Sequence, residues 1–382
     1  MTIPELNLLT RSAISDTEWS DSRWHMRNRI TSATKLRRWV RVTPEEEAAI
    51  IESTVKYRWS VTPYYASLMD PDDPSCPIRQ QAIPASSEMG EYPGAEVDPV
   101  GDTIYRKTNR IVHKYPDRVI MLITEACPVY CRHCTRKFHT TNREGSYFRD
   151  GEGESFADDM RYIAEHPEIR DVLLTGGDPL SYRDDKLEGI ISQLRAIPSV
   201  EIIRIGSRFP VLLPQRVTDE FCEMLAKYHP VWLNTHFNHP KEITAEAAAA
   251  VDRLLRHGIP VGNQTVLLKG INDSVATMRR LMTELLRIRV RPYYIYHCDN
   301  VTGVSHFMTT VDKGLEIMDG LQGHITGFGV PQYVVTTTIG KIPLVRPYHR
   351  LTREGMQLRN FRGEELLLSG PAYPTADPRP AE

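Results

Sequence analysis

The sequence predicts an α/β protein built on a partial (β/α)6 barrel, with a helical N-terminal arm before it and a C-terminal segment after it. From about residue 118 onward, short apolar runs alternate with amphipathic stretches. Six such strand–helix units in a row imply parallel strands joined by right-handed crossovers. Six units suit a barrel open on one side better than a closed eightfold one; a doubly wound open sheet satisfies the same pattern.

The first ~65 residues read as helical, with boundaries good to a few residues. Trp24, Arg27 and Ile30 begin one amphipathic stretch, and Thr43-Pro44-Glu45-Glu46-Glu47 supplies the N-cap, N1 proline and acidic first turn of another. Residues 70–102 carry six prolines and many acidic residues. They are expected to form an extended surface connection with no core of its own. Strands are expected at 119–124, 172–175, 200–206, 231–235, 259–265 and 290–296. Between them, 156–165 places Phe156, Met160, Ile163 and Ala164 on one helical face. A helix capped by Thr218 buries Phe221, Cys222 and Leu225, and another runs from Thr244 to a C′ glycine, Gly258. The resulting division is 1–110, 111–330 and 331–382.

Composition narrows the function. A net charge of −2 with 25% charged residues gives no general attraction to nucleic acid or anionic membrane. No run of about 18 apolar residues exists to span a bilayer. The opening MTIPELNLLTRSAISD lacks a basic segment followed by an apolar one, so no secretory leader is expected. Clustered free thiols fit a reducing compartment, and the expected location is cytoplasmic.

Three of the six cysteines lie within eight residues, Cys127-Pro-Val-Tyr-Cys131-Arg-His-Cys134. Three thiolates can hold a metal or cluster and leave one coordination position open for chemistry. The alternatives are a structural zinc site borrowing a distant ligand, or three coincidental core thiols. The cysteine loop follows the first barrel strand, so it lies at the mouth where barrel ligands collect. The second strand ends in Gly176-Gly177-Asp178-Pro179, whose glycines are expected to let the backbone approach a ligand and offer it N–H groups. Gly206-Ser207-Arg208 and Asn263-Gln264 are placed at the same mouth, Gln264 as a cofactor-binding candidate. Tyr115-Pro-Asp-Arg118 and Arg136-Lys137 add cations suited to phosphate and carboxylate. Lys341, in Gly340-Lys341-Ile342-Pro343, is a candidate for a Schiff base with a carbonyl cofactor, against the common alternative of a solvated surface lysine.

The CxxxCxxC spacing resembles the signature of radical S-adenosylmethionine (SAM) enzymes. With HKYPDRV, RIGSRFPVLLPQR, VWLNTHFNHP, GNQTVLLKGIND, RVRPYYIYHCD and GKIPL in this order, the chain resembles lysine 2,3-aminomutase and its relatives from about residue 24 to residue 361. The resemblance implies a radical SAM barrel, a 4Fe-4S cluster, SAM and pyridoxal 5′-phosphate (PLP). In that family a 5′-deoxyadenosyl radical removes a β-hydrogen, and PLP holds the substrate amine as an imine through which nitrogen moves to the β-carbon. Carried over by position, Cys127, Cys131 and Cys134 would ligate the cluster, with SAM on the fourth iron at a GGD-type turn. Lys341 would hold PLP, Arg118 its phosphate, and Tyr115 would pack near it. Arg136 would take the substrate α-carboxylate, and His133 would lie near the adenine.

The family's pattern also implies two aspartates for the distal ammonium of lysine. Asp299 matches the first; the second falls in Thr336-Thr337-Thr338. A retained Asp299 opposes a second substrate carboxylate, because like charges in a dry pocket cost several kcal/mol. The expectation is therefore a 2,3-aminomutase for a basic L-amino acid, with arginine ahead of lysine because five guanidinium donors can be shared between Asp299 and threonine hydroxyls. The alternatives are an aminomutase for another amino acid such as glutamate, a factor making β-lysine for attachment to an elongation factor, and a non-catalytic scaffold. No structural zinc is expected, since Ser274 follows the IND motif and no cysteine follows Cys298. The partners expected are the amino acid, an electron donor such as flavodoxin or ferredoxin, and further copies of the chain, with no nucleic acid and no membrane.

Overall fold

Crossover helices cover one face of a parallel sheet, so each strand buries an alternating set of apolar residues on that face. In β2 (Arg118–Thr124), β3 (Asp171–Gly176) and β4 (Ile202–Gly206), the side chains of Val119, Met121, Val172, Leu174, Ile203 and Ile205 are all buried. The computed structural model describes residues 8–141 and 156–370. Part of the opening stretch read for a leader, and the tail beyond 370, lie outside them.

Nine strands form one sheet in chain order. β1 (Ile111–Tyr115) pairs antiparallel with β2; β2 through β4, β5 (Val231–Thr235), β6 (Val261–Leu267), β7 (Arg291–His297) and β8 (Gln332–Thr337) are parallel; β9 (Gly340–Pro343) returns antiparallel. The six expected strands are present, and β8 adds a seventh parallel one. Its apolar run, Tyr333, Val334 and Val335, is strand-like in sequence, and the crossover helix Val311–Leu321 delivers it to the edge of β7. β6 starts two residues later than expected because Pro260 has no N–H for the ladder. The segment 331–382 therefore divides: β8 and β9 extend the barrel sheet, while β10 (His349–Thr352), β11 (Gly355–Arg359) and β12 (Glu365–Leu368) form a separate antiparallel sheet.

The crossover helices bury one stripe each. Val275–Arg287 buries Met278, Leu281, Met282 and Leu285, the spacing of a single helical face. Thr218 and Thr244 cap their helices as expected, and Gly258 takes φ +75° at a helix C-terminus. Thr43 and Glu46 form the reciprocal capping box of Pro44–Lys56. Among the described residues no helix is long and apolar enough to cross a membrane.

The connection 70–102 is a correction to the sequence reading. Its Pro77 opens a helix, Pro77–Ala82, at the position where a missing N–H costs nothing. Cys76, Ile78, Ala82 and Ile83 join a core cluster that also includes Trp19 and Trp59 of the arm and Val172 and Ile203 of the barrel. Arm, connection and barrel thus share one core.

Two sets of contacts position the site. The open seam of the sheet is bridged by β1: Lys114 Nζ donates to the Val100 and Thr337 carbonyls, 2.6 Å each, and the Lys341 N–H donates to the Tyr115 hydroxyl at 3.0 Å. Beneath the cysteine loop, Glu88 accepts from Arg132 Nε at 2.8 Å and from Lys137 Nζ at 2.7 Å, with all three side chains nearly inaccessible to solvent. Lys137 is therefore turned away from the mouth to which the sequence assigned it. Burial opposes ionisation of Glu88, but Arg132 and Lys137 outweigh it and hold its pKa down at about 2. A carboxyl depressed from 4.5 contributes stability that is present above pH 4.5 and is lost as pH falls through about 2. Glu88→Gln leaves two buried cations without their carboxylate, and is expected to lower unfolding free energy by about 3–5 kcal/mol in chemical denaturation.

Candidate active site

A cavity of about 670 Å³ runs inside the barrel, and most of the site residues expected from the sequence line it, Lys137 and Asn263 excepted. The cysteine loop stands at the C-terminal end of β2, whereas Arg118 begins that strand. Six steps of strand separate these ends by roughly 20 Å. The cavity is therefore a passage through the barrel, not a single cationic mouth, and it keeps Arg118 far from the cysteines.

At the cysteine end, Cys127, Cys131 and Cys134 share one wall. Burial raises the pKa of the Cys127 and Cys134 thiols, and their negative neighbours, other cysteines among them, add to the rise. Among the described residues, no three His, Cys, Asp or Glu side chains converge tightly enough to hold a single metal ion. Thiols spread around one wall suit a multi-iron cluster, in which each thiolate takes its own iron.

The two glycines serve a purpose different from the one expected. A Cβ on Gly176 would lie 2.6 Å from the Thr124 carbonyl oxygen, and one on Gly177 2.5 Å from that of Ala126. They let the β3 turn press against the start of the cysteine loop, where Gly177 and Asp178 N–H groups donate to Thr124 and Ala126. Asp178 is likewise committed to the protein: its carboxylate accepts from the Leu180 and Arg208 N–H groups at 3.1 and 2.7 Å. Burial raises its pKa to about 6. Asp178 staples the β3 turn to the β4 turn at the cavity wall.

His133 is buried and its pKa falls well below 6.5, first through burial and then through nearby cations, so the ring is neutral. Asn238 Oδ1 accepts from the Val266 N–H, which turns its amide nitrogen toward His133 Nε2 at 3.1 Å. Nε2 is then an acceptor and Nδ1 carries the proton, an assignment made from the hydrogen-bond network. Nδ1 is a buried donor with no partner among the described residues. Such a donor fits a ring-nitrogen acceptor, as a purine presents.

At the other end, Arg118 pairs with Asp117 at 2.7 Å and lies 4.0 Å from the Tyr115 ring centroid. Lys341, on the edge strand β9, directs its ammonium into the cavity, 5.8 Å from the Tyr115 ring centroid and 5.9 Å from that of Tyr296. Burial first, and then the charges of Arg136, Arg204, Arg118 and Lys114, together lower its pKa to about 8. Roughly a tenth of the amine is then neutral near pH 7, far more than for a solvated lysine.

Between the ends sit Arg136 and Asp299. Arg136 Nε donates to Asp102 at 2.7 Å. Asp102 comes from the proline-rich connection and was missed in the sequence, where nothing local ties residue 102 to a barrel loop. Asp299 Oδ2 accepts from Thr135 at 2.7 Å, while Oδ1 is buried with no partner among the described residues. Burial raises its pKa to about 6 against the pull of Thr135, Arg136 and Lys341. Of the three threonines before Lys341, Thr336 lines the cavity; Thr337 is used in the β8–β9 turn, and Thr338 packs against Gly101. Gln264, on β6, accepts from the Tyr296 hydroxyl at 2.7 Å.

Residues 121–282 match the Radical SAM superfamily profile. The chain is 46% identical over 373 residues to the L-lysine 2,3-aminomutase of Fusobacterium nucleatum, covering 96% of this chain and 86% of that protein. It is also 46% identical over 361 residues to the L-lysine 2,3-aminomutase of Clostridium subterminale, with 94% and 86% covered. To the glutamate 2,3-aminomutase of Clostridioides difficile it is 44% identical over 359 residues, with 93% and 83% covered. Radical SAM membership implies a 4Fe-4S cluster and SAM, and aminomutases are isomerases. Carried by identities of this size over nearly its whole length, the chain belongs to the lysine 2,3-aminomutase family of radical SAM enzymes.

Proposed function

We propose that this protein is a PLP-dependent 2,3-aminomutase for a basic L-amino acid, with arginine ahead of lysine as substrate. The carrying observation is the unpartnered, buried oxygen of Asp299, in the cavity that also holds the pKa-depressed amine of Lys341 and the three thiols. On this reading Cys127, Cys131 and Cys134 hold the cluster, and His133 Nδ1–H meets an adenine nitrogen of SAM. Lys341 bonds PLP, and Arg118 pairs with its phosphate beside Tyr115. When bound, the cluster with SAM supplies hydrogen abstraction from an unactivated carbon, and PLP supplies the carbonyl carbon that carries the migrating nitrogen.

The chain's own part is binding, orientation and exclusion of water. Arg136, already partnered by Asp102, exchanges that carboxylate for the substrate α-carboxylate. Asp299 then receives the side-chain cation, with Thr135 and Thr336 hydroxyls beside it. A glutamate side chain would instead set a second carboxylate against Asp299, in a pocket where burial already penalises one. Asp178, Gly176 and Gly177 hold the cysteine loop in place, and an external one-electron donor reduces the cluster.

Anaerobic reconstituted enzyme, offered single amino acids, is expected to convert arginine or lysine to the β-isomer by mass spectrometry. Turnover of glutamate with neither basic amino acid converted would overturn the substrate assignment. Lys341→Ala is expected to abolish the visible absorbance of bound PLP; unchanged PLP content removes Lys341 from its role. Because a depressed lysine reacts as its neutral amine, PLP loading of the wild type is expected to quicken as pH rises and to level off above about pH 8.

A further inference from the structure

Arg208 was placed at the mouth by the sequence without a role. It is 7% exposed, and its guanidinium meets four protein groups. Nε donates to the His236 carbonyl at 2.9 Å, and Nη1 to Cys131 Sγ at 2.9 Å. Nη2 donates to Gln81 Oε1 at 2.6 Å and to Glu242 Oε1 at 2.7 Å. The counter-ion is fixed as firmly: Glu242 is fully buried, and its Oε1 also accepts from the Tyr65 hydroxyl at 2.7 Å. Tyr65 and Gln81 belong to the N-terminal third of the chain, so elements outside the barrel aim this guanidinium at the cysteine loop.

We propose that Arg208 is a positioning residue that raises the reduction potential of the iron–sulfur cluster by donating its Nη1–H to the Cys131 sulfur. The inference rests on the reading of Cys131 as a cluster ligand. Reduction adds one electron to the cluster and so one negative charge to its thiolate and sulfide shell. A charged N–H donor at a ligand sulfur stabilises that added charge, and hydrogen bonds to cluster sulfurs are a recognised lever on potential. Exclusion of water strengthens the effect, since little solvent screens the guanidinium. Glu242 works in the opposite sense: it anchors the cation and partly offsets its field. Cys134 has a longer, uncharged contact, 3.7 Å from the Thr140 hydroxyl, which itself donates to the Arg136 carbonyl. The charged contact therefore singles out Cys131.

The test is an EPR-monitored redox titration of the reconstituted enzyme without SAM, with iron content measured on each sample. Arg208→Gln is expected to lower the equilibrium constant for cluster reduction about tenfold, equivalent to about 59 mV for a one-electron couple. Glu242→Gln is expected to shift it the other way, because the guanidinium loses its opposing charge. Arg208→Lys should fall between Arg208→Gln and wild type. Opposite shifts at full iron content support the proposal; a merely structural arginine would alter iron content or stability and leave the potential of loaded enzyme unmoved. An unmoved potential in loaded Arg208→Gln overturns it. Should that variant hold no iron, unmoved potentials in both Arg208→Lys and Glu242→Gln overturn it. Cys131→Ala separates the two layers: full iron content there defeats the ligand reading and this proposal with it, whereas lost iron there with unmoved potentials elsewhere defeats the Arg208 proposal alone.

Discussion

The cysteine loop has no regular structure of its own over most of its length, yet its three thiols must share one wall of a dry cavity. Buried charge supplies what a helix or strand would otherwise give. Arg132, between Cys131 and Cys134, and Lys137, just after Cys134, both turn inward to Glu88, and Arg208 reaches the loop from the turn after β4. Isolated buried ions would be costly, and pairing them in this way offsets the cost while fixing direction. The glycine turn after β3 then closes on the loop's first residues, at an approach that any Cβ would block.

A sheet that stops short of closure solves a second problem. Nine strands in chain order leave two antiparallel edges, β1 and β9, and those edges carry Tyr115 and Lys341. The seam is held by Lys114 and by the Tyr115 hydroxyl, not by a continuous ladder. An edge strand can direct its lysine inward and also lie beside open space through which a large cofactor enters. The cysteine end is closed by the arm and the connection. The cysteines and Lys341 thus lie toward opposite ends of one passage, with Arg136 and Asp299 between them.

What the sequence disclosed was local. Helix caps at Thr43, Thr218 and Thr244, six strand runs and the cysteine spacing each lie within a few residues, and each is present in the structure. What it concealed was long-range. Glu88 meets Arg132 across 44 residues, and Arg208 meets Cys131 across 77. Prolines in 70–102 look like breakers, yet Pro77 starts a helix whose apolar face enters the core. Tyr333–Val335 is strand-like in sequence, but three apolar residues followed by threonines do not tell that the strand joins the barrel sheet. The glycines of the β3 turn were found for a sound reason, close approach, but the approaching partner is the protein's own backbone.

The pocket's electrostatics bear on substrate choice independently of motif matching. A carboxyl raised from 3.8 to about 6 marks a folded state that disfavours its charged form by about 3 kcal/mol. The chain keeps that cost although Asp299 already has Thr135 as a donor and Arg136 and Lys341 in its field. A ligand that brings a cation to the unpartnered oxygen recovers part of it, while one that brings an anion adds to it. A neutral side chain leaves the buried oxygen without a donor. Arg136 begins paired with Asp102, so an arriving α-carboxylate exchanges one anion for another and changes the charge at that end little. The unbalanced site is at Asp299, and on the proposed reading discrimination between amino acids is concentrated there, at the far end of the side chain.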